Sequence, residues 1–186
     1  MDSVVRVEGP DLTAAARAAA TGDDGAFALI VQATQVDVLR ACSALADPGS
    51  AEDLAQETFL RAYRALPTFT GASSLRTWLL AIARHACADE LRRKQRRRSL
   101  LHRLPRSPQA MSSTGFTELE LLVRDLPDGQ REAFVLTQML GLSYDEAAVV
   151  MACPIGTVRS RIARARAVLI DQLHGDTQAA GDSRQR

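Results

Sequence analysis

Residues 143–167, SYDEAAVVMACPIGTVRSRIARARA, predict two helices separated by a tight turn. Ser143, with Glu146 three residues later, forms a capping box, which is typical of a helix start. The four residues 153–156 predict the turn, and Thr157 is expected to cap or open the second helix. A short helix, a turn of a few residues and a longer second helix make the helix-turn-helix pattern.

The second of these helices has a basic face. Its apolar positions are expected to be buried: Val158, Ile162, Ala165 and Leu169. Arg159, Ser160 and Arg164 project from the opposite face, Arg161 lies on its flank, and no acidic residue occurs before Asp171. Arginine can pair with guanine in the major groove or hold phosphates. A solvated face would normally include acidic residues, so the pattern favours DNA binding.

The flanking sequence predicts two more helices, over residues 118–124 and 130–140. Pro127, Asp128 and Gly129 are expected to form a turn between them, and Gly141 is expected to end the second helix.

The composition of the 186-residue chain predicts an all-α fold made of two small helical domains. Its residues are 46% apolar but only 4% aromatic, and Ala and Leu outnumber Val and Ile, which favours helices over strands. No apolar run reaches the ~18 to 20 residues that a membrane span needs, and the acidic amino terminus lacks a signal pattern. The sequence therefore predicts a cytoplasmic protein with no membrane insertion.

The three cysteines are Cys42, Cys87 and Cys153. Their odd number and wide spacing suit neither a disulfide framework nor a zinc site. We therefore expect them to be small buried apolar residues.

Charge is distributed in blocks, although the formal net charge is only +1. The blocks carry −7 over residues 1–60, +10 over residues 61–106, −5 over residues 107–146 and +3 over residues 147–174. Two basic blocks suggest two surfaces that face polyanions, and the alternative is two solvated arginine-rich faces.

Residues 99–117, SLLHRLPRSPQAMSSTGFT, predict a linker, because two prolines, four serines and a glycine interrupt any apolar period. A linker of this length argues for two domains joined flexibly. The predicted segments are a disordered amino terminus (1–11), an amino-terminal domain (12–97), the linker (98–117), a carboxy-terminal domain (118–174) and a polar tail (175–186).

The amino-terminal domain contains a predicted amphipathic helix over residues 51–66. Its apolar face comprises Ala55, Phe59, Ala62 and Leu66. Its other face comprises Asp53, Gln56, Glu57, Leu60, Arg61 and Arg64. An exposed leucine among charged residues is typical of a protein-binding surface, but an ordinary amphipathic helix fits the pattern equally well.

Residues 66–98 are the most basic part of the chain. A polar loop over residues 69–74 precedes a helix that Ser73 or Ser74 is expected to cap. The predicted buried face comprises Leu75, Leu79, Ile82 and Ala86, and the predicted outward face comprises Arg76, Thr77, Arg84 and Ala88. A basic helix beside a small loop and an aromatic residue can bind single-stranded nucleic acid. Trp78 is expected to pack in the core or at its edge rather than to stack on a base.

Three stretches carry a family resemblance: DLAQETFLRAYRAL (53–66), FTGASSLRTWLLAIARHACADELRR (69–93) and LPDGQREAFVLTQMLGLSYDEAAVVMACPIGTVRSRIARARAVL (126–169). They are similar to the second and fourth conserved regions of bacterial sigma factors of the extracytoplasmic-function group, in the same order over most of residues 13–174. The resemblance implies a dissociable subunit that joins core RNA polymerase, directs it to promoters, often in stress responses, and assists DNA melting.

The resemblance also implies roles for particular residues. The helix over residues 51–66 would bind the β′ clamp helices of the polymerase through Asp53, Gln56, Glu57, Leu60 and Arg61. The minus-ten element, including a flipped base, would be captured by Phe69, Thr70, Gly71, Ser73, Arg76, Trp78, Arg84, Arg92 and Arg93. The minus-thirty-five element would be contacted by Thr157, Arg159, Ser160, Arg161 and Arg164.

The implied partners are core RNA polymerase, through its β′ clamp helices and its β flap, and promoter DNA. The linker would pass through the polymerase near the RNA exit path. Members of this family are commonly held inactive by an anti-sigma protein wedged between the two halves, although nothing in this sequence identifies such a partner.

Two other classes of protein compete with this interpretation. A conventional helix-turn-helix regulator would use the same carboxy-terminal half but would bind its duplex site without polymerase. An enzyme acting on nucleic acid would need chemistry that the sequence lacks, since it has no P-loop, no G-x-S-x-G, no H-E-x-x-H and no clustered carboxylates. His85, His102 and His174 are scattered. No catalytic residue, metal site or cofactor is therefore predicted.

Overall fold

The computed structural model describes residues 12–101 and 118–182. The regular elements in those two ranges are all helical, which confirms the all-α prediction. Eight α-helices follow one another along the chain: α1 (Leu12–Ala20), α2 (Asp24–Leu45), α3 (Ala51–Ala65), α4 (Leu75–Leu101), α5 (Glu118–Arg124), α6 (Asp128–Phe134), α7 (Tyr144–Met151) and α8 (Ile155–Asp182).

Side-chain caps fix several of the helix starts. Asp23 precedes α2 and accepts a hydrogen bond from the amide of Ala26 at 2.9 Å. Ser74 precedes α4, and its hydroxyl accepts from the amide of Thr77 at 3.0 Å, so Ser74 is the capping serine. Each cap satisfies an amide that has no partner inside the helix, which typically stabilises a helix by about 1 kcal/mol.

The amino-terminal half, residues 12–101, is a four-helix arrangement in which α2 packs against α1, α3 and α4. Small side chains allow close approach, with Ala41 and Ala62 completely buried. The buried face of α3 comprises Ala51, Leu54, Thr58 and Ala62. Two residues of the predicted apolar face, Ala62 and Leu66, are buried as predicted. The other two, Ala55 and Phe59, are only half-buried, and Leu54 and Thr58 are buried instead.

By length and composition, α2 could cross a membrane, with a mean hydropathy of 1.2 over 18 residues. This differs from the expectation that no segment would qualify. In the described structure it is the central helix of the bundle, with Ile30, Val38 and Cys42 buried and Asp37 ion-paired with Arg76. Core packing thus accounts for the apolar residues on one face of α2.

The carboxy-terminal half, residues 118–182, contains the predicted helix-turn-helix in α7 and α8. The capping box is present, because Ser143 Oγ accepts from the Glu146 amide at 3.2 Å and the Glu146 carboxylate accepts from the Ser143 amide at 2.9 Å. Ala152 ends α7 in the left-handed conformation with a φ of 49°. The recognition helix begins at Ile155, two residues before the predicted Thr157.

Other boundaries also differ from the predictions. α6 begins at Asp128 because Pro127 can occupy the N-cap position, where no amide hydrogen is needed. The helix then widens into a π-helical turn over Val135–Met139 before Gly141, which has a φ of 69°. α4 extends to Leu101, beyond the predicted start of the linker, and α8 extends to Asp182, beyond the predicted start of the tail.

The two halves pack directly against each other, mainly through α4 and α7 and through α2 with α5 and α6. Leu80, Ala83 and Cys87 of the amino-terminal half share one apolar core with Val123 and Leu126 of the carboxy-terminal half. This closed arrangement differs from the expectation of two halves joined only by a linker. The physical reason is that α4 is apolar on more of its circumference than the predicted face, since Leu80, Ala83 and Cys87 are also buried.

Some predictions lie outside the described residues. These are the disordered amino terminus (1–11), most of the linker (102–117) and the last residues of the tail (183–186). The boundaries between the five predicted segments stay predictions.

Candidate nucleic-acid and protein interfaces

The predicted polymerase-binding residues lie along one face of α3. Asp53, Gln56 and Leu60 are exposed, and Leu60 has 54% of its surface accessible. Thr58 and Ala62 anchor the opposite face in the core, so the orientation of α3 is fixed. The exposed apolar side chain of Leu60 is thus surrounded by polar residues, a composition that many protein-binding surfaces share.

Arg61 at the edge of this face is held by two carboxylates. Its Nε donates to Glu57 at 2.7 Å, and its Nη1 donates to Asp89 of α4 at 2.8 Å. The hydrogen bonds that Arg61 donates to Asp89 and Glu57 raise the pKa of Arg61. The bonds from Arg61 and Arg92 lower the pKa of Asp89. Arg61 therefore joins α3 to α4, and its charge is neutralised before any partner arrives.

The basic face of α8 is presented as predicted. Val158, Ile162 and Ala165 are buried, which turns Arg159 and Arg164 to the surface. The exposed Ser160 lies between them, and its hydroxyl donates to the carbonyl of Thr157 at 3.0 Å. Thr157 itself is half-buried in the first turn of the helix. A small residue between two arginines lets a helix approach the floor of a major groove.

Arg161 differs from Arg159 and Arg164. It is half-buried, and its guanidinium lies against Gly129 at the start of α6, where an added Cβ would be 3.1 Å from Cζ. The planar guanidinium of Arg161 therefore packs against the backbone of Gly129, where no side chain intervenes. This contact ties the recognition helix to α6 and limits how far Arg161 can reach toward a base.

The loop before α4 carries the polar part of the predicted single-strand site. Thr70 is exposed and Gly71 has a φ of 76°, a conformation that glycine adopts without strain. Ser73 is half-buried, and its hydroxyl lies 3.4 Å from the Ser74 carbonyl oxygen. Phe69 and Trp78 pack together with ring centroids 5.1 Å apart, and both are half-buried against the core. Trp78 thus lies at the core edge.

Arg76 does not face solvent as predicted. Its Nε donates to Asp37 of α2 at 2.6 Å, and its Nη2 donates to the carbonyl oxygen of Leu140 at 2.5 Å. The second bond crosses between the two halves of the chain. Packing of the carboxy-terminal half over this face of α4 is the reason that the outward prediction was wrong.

Thr77 and Arg84 are covered by the same packing. Thr77 is 1% exposed, and its hydroxyl lies 3.3 Å from the Glu146 carboxylate. The Arg84 Nε lies 3.2 Å from the Glu132 carboxylate, an ion pair without a well-aligned hydrogen bond. Both residues were predicted to face outward, and both instead contact the carboxy-terminal half.

Arg92 and Arg93 near the end of α4 are exposed but paired along the same helix. Arg92 contacts Asp89 at 2.7 Å and Arg93 contacts Glu90 at 3.4 Å. Exposed pairs of this kind contribute little to stability and separate readily. These arginines can therefore exchange their carboxylate partners for phosphates.

Glu146 contributes to the contact between the halves through Thr77 of α4. The backbone hydrogen bond from Ser143 is the largest cause that lowers the pKa of Glu146, and the hydroxyls of Ser143 and Thr77 and the charge of Arg76 act in the same direction. Partial burial opposes them. The capping glutamate thus serves both its own helix and the contact with α4.

Two cysteines behave as predicted and are buried, Cys42 and Cys87, while Cys153 is half-buried. Their helices, α2 and α4, pack together. The hydrogen bond with Cys42 and burial both raise the pKa of Cys87, so this thiol stays protonated at neutral pH.

Four residues were not predicted as partners of the outward face of α4: Asp37, Glu132, Leu140 and Glu146. They contact residues at least 39 positions away in the chain, and the Leu140 contact uses a backbone carbonyl. No local spacing signals such pairs, although the acidic character of residues 107–146 is consistent with a basic partner.

Comparisons with known proteins place these surfaces in one family. Residues 30–97 match the family model of Sigma-70 region 2, and residues 116–169 match that of Sigma-70 region 4. The "ECF RNA polymerase sigma factor SigC" of Mycobacterium tuberculosis is 46% identical over 171 residues, covering 89% of this chain and 92% of its relative. The "ECF RNA polymerase sigma-E factor" of Escherichia coli is 35% identical over 162 residues, covering 78% and 85%.

Two solved structures share the fold. The structure described as CnrH in complex with the cytosolic domain of CnrY has a TM-score of 0.69 at 30% identity, covering 89% of this chain and 98% of that chain. The structure of the sigma factor RpoE with the anti-sigma factor NepR from Bartonella quintana has a TM-score of 0.68 at 28% identity, covering 80% and 96%. With both conserved regions matched in order and a relative 46% identical over nearly its whole length, this chain belongs to the extracytoplasmic-function group of RNA polymerase sigma factors, the non-enzymatic subunits that direct promoter-specific transcription initiation.

Proposed function

We propose that this sigma factor reads the minus-thirty-five element with α8, chiefly through Arg159, Ser160 and Arg164. The observation that carries this assignment is that α8 buries one complete apolar face while these three side chains are exposed on the other. Arg161 and Thr157 hold the helix in place and contact phosphates rather than bases, because both are half-buried.

The loop over residues 69–74 and the start of α4 are proposed to capture the minus-ten strand. Phe69 and Trp78 provide an aromatic wall, and Thr70, Gly71 and Ser73 provide a polar loop. Arg76 and Arg84 would add the positive charge, but each is engaged across the closed arrangement. Capture of the strand by these two arginines therefore requires the halves to separate, which polymerase binding would bring about.

The exposed face of α3 is proposed to bind the β′ clamp helices, with Leu60 at the centre and Asp53, Gln56, Glu57 and Arg61 around it. The carboxy-terminal half would bind the β flap. Both surfaces would act in the cytoplasm, where the polymerase works. Because one structural neighbour is a sigma factor in complex with an anti-sigma factor, an anti-sigma protein is also proposed for this chain.

Promoter-specific transcription in vitro tests the assignment of α8. The purified chain and core RNA polymerase would be incubated with genomic fragments, and transcript starts would be mapped to define the two promoter elements. Arg159→Ala or Arg164→Ala should then weaken promoter use by ~1 to 3 kcal/mol where the arginine pairs with guanine, with polymerase binding unchanged.

Arg166→Ala is the matched control, because it removes the same charge from the same helix. Arg166 donates to Gln138 at 3.0 Å and lies on the flank. Loss of polymerase binding in the Arg159 and Arg164 variants, or an equal loss of promoter use in the Arg166 variant, would contradict the assignment.

A further inference from the structure

Lys94 is the only lysine among the 23 basic residues of the chain. It lies about two helical turns beyond Cys87, the last buried residue of α4 in the described structure. Among the described side chains of residues 91–99, Lys94 alone is half-buried and the others are exposed. Lys94 is therefore the last described side chain of α4 that the rest of the bundle covers.

The ammonium group of Lys94 is held by oxygen atoms of the turn between α2 and α3. Its Nζ donates to Ser50 Oγ at 2.9 Å and to Asp47 Oδ2 at 3.2 Å. Glu90 Oε1, on the same helix, lies 3.9 Å away. A lysine ammonium has three donors that can point to separate oxygens, whereas the guanidinium of arginine is a planar fork. A compact cation therefore suits this position.

Both partners on the turn are free to bond to Lys94. Ser50 precedes α3, but its side chain makes no capping bond to that helix. Asp47 accepts from the Gly49 amide through Oδ1 at 3.2 Å, which leaves Oδ2 for Lys94. Partial burial raises the pKa of Asp47, but the hydrogen bonds from Lys94 and Gly49 outweigh it. The pKa is thus lowered overall, and the carboxylate is charged at neutral pH. Lys94, Asp47 and Ser50 are here called the Lys94 anchor.

The anchor sets which way the basic end of α4 faces. Arg92 and Arg96 lie two positions before and after Lys94, which places each of them about 160° around the helix from it. Both arginines are exposed. Because the Lys94 side of the helix is bonded to the turn, the side that carries these two arginines is directed away from the bundle.

We propose that Lys94 is a positioning residue for promoter DNA: it holds the end of α4 so that Arg92 and Arg96 meet phosphates of the minus-ten region, without contacting DNA itself. The proposal rests on the proposed function, because it concerns the DNA that region 2 binds. Without the anchor the two arginines still reach their phosphates. The helix end must then be ordered as DNA binds, and this loss of entropy lowers the affinity.

Promoter binding by the assembled holoenzyme tests this role. Core polymerase carrying the full chain is titrated with a promoter fragment from the mapped transcript starts, at several salt concentrations. Lys94→Met and Asp47→Asn should each weaken binding by about threefold to tenfold. The slope of log affinity against log salt concentration should not change, because the same phosphates are contacted. Polymerase affinity and the unfolding midpoint should match wild type, since partly exposed ion pairs contribute little to stability.

The Asp47 variant separates positioning from direct contact. If Lys94 itself bound a phosphate, Asp47→Asn would release Lys94 and remove a negative charge, so DNA binding would stay equal or strengthen. Lys94→Met would then lower the salt slope by about one. Either result would overturn the proposal.

Glu52→Gln is the matched control for Asp47→Asn. Glu52 is an exposed carboxylate in the first turn of α3, so the substitution makes the same change in charge close to the anchor. Its DNA affinity should equal or exceed that of wild type, and a loss as large as that of Asp47→Asn would overturn the proposal. The double variant Lys94→Met with Asp47→Asn should bind no more weakly than Lys94→Met alone, because both substitutions remove one contact. Additive losses would contradict a shared role.

The anchor itself can be observed in the free chain by NMR. Labelling with ¹³C-lysine gives the signals of one residue, because Lys94 is the only lysine. The Cε signal should move in Asp47→Asn and stay in place in Glu52→Gln. An unchanged signal in Asp47→Asn would show that the anchor does not form in solution and would overturn the proposal.

A combined Arg92→Ala and Arg96→Ala variant tests the DNA contact on which the proposal depends. It should weaken promoter binding and lower the salt slope by about two. If it binds DNA as wild type does, these arginines do not contact phosphates and the proposal is overturned, although the chain still acts as a sigma factor. Failure of the wild-type holoenzyme to start transcription at any promoter would instead contradict the proposed function.

Discussion

Ala152 has the backbone conformation of a glycine. Its φ of 49° lies in the left-handed region, which costs a residue with a side chain roughly 1 kcal/mol. Ala152→Gly is therefore expected to stabilise the protein by about 0.5 to 1 kcal/mol, measured as free energy of unfolding in denaturant. Ala163→Gly, in the exposed middle of α8, should destabilise it by about 1 kcal/mol, because glycine loses more entropy in a helix. A destabilised Ala152 variant would contradict this account.

Glu146 makes stability dependent on pH. Its pKa in the folded protein is lowered from the ordinary value of 4.5, so its contribution is fully present above pH 4.5 and is lost as pH falls through the lowered value. We expect the free energy of unfolding to fall over this acid range. The Glu146→Gln variant should be less stable than wild type at neutral pH, and its free energy of unfolding should fall less on acidification. Unfolding curves at several pH values measure this change. An equal decrease of the unfolding free energy with falling pH in both proteins would contradict the prediction.

The sequence correctly predicts side-chain contacts that depend only on the spacing of residues within one helix. Ser143 and Glu146 are three positions apart, so their mutual bonds follow from helix geometry. Arg76, Thr77 and Arg84 were assigned to the right helix but to the wrong environment. Their partners in region 4 depend on how the two halves pack together, and the sequence of one helix does not predict that packing.

The α3 helix shows how one element can serve two purposes. Thr58 and Ala62 hold it in the bundle, while Leu60 stands exposed near the bonded side chain of Arg61. We expect Leu60→Ala to weaken binding to core polymerase by about 1 to 2 kcal/mol, since exposed apolar side chains at the centre of an interface contribute most to affinity. The thermal unfolding midpoint should not change. Fluorescence anisotropy of labelled protein titrated with core enzyme measures the affinity.

The control for this variant is Leu29→Ala on α2, which truncates another leucine with the same exposure of 54%. If both variants bind polymerase as wild type does, the face of α3 is merely solvated, which is the alternative that the sequence left open.

At the scale of elements, the sequence predicts periodic helices well and their exact limits less well. The apolar face of α8 was correct because its residues recur every three or four positions. The face of α3 was correct only in part, because Thr58 is buried with its hydroxyl bonded to the Leu54 carbonyl at 2.7 Å, an arrangement that hydrophobicity alone does not reveal. The π-helical turn at Val135–Met139 has no sequence signature of its own.

The closed arrangement of the whole molecule affects the two proposed DNA-binding surfaces differently. When the halves are closed, Arg76 and Arg84 contact region 4, whereas Arg159 and Arg164 remain exposed. The sequence predicted two domains and a linker, but it did not predict that one core would join them. That core depends on the complementarity of two assembled surfaces, which appears only once the helices are in place.

The Arg84–Glu132 ion pair gives a means of testing whether the two halves separate. Both side chains are about one-fifth exposed, at 21% and 19%, and Glu132→Ala leaves the positive charge of Arg84 without its partner. We expect this substitution to make separation of the two halves more favourable by about 1 kcal/mol. Binding of a single-stranded minus-ten oligonucleotide by the free chain should then strengthen up to about fivefold. The distance between fluorophores on α3 and α8 should lengthen in parallel.

Removal of a negative charge alone could strengthen DNA binding, so the comparison needs a variant with the same change in net charge. Asp145→Ala supplies it, because Asp145 is exposed on α7 of the same half and its carboxylate is not among those that contact α4 in the described structure. If Glu132→Ala acts by opening, it should exceed Asp145→Ala in oligonucleotide binding and alone lengthen the fluorophore distance. Equal effects would show that the gain is purely electrostatic and that the closed form does not limit access to the minus-ten site.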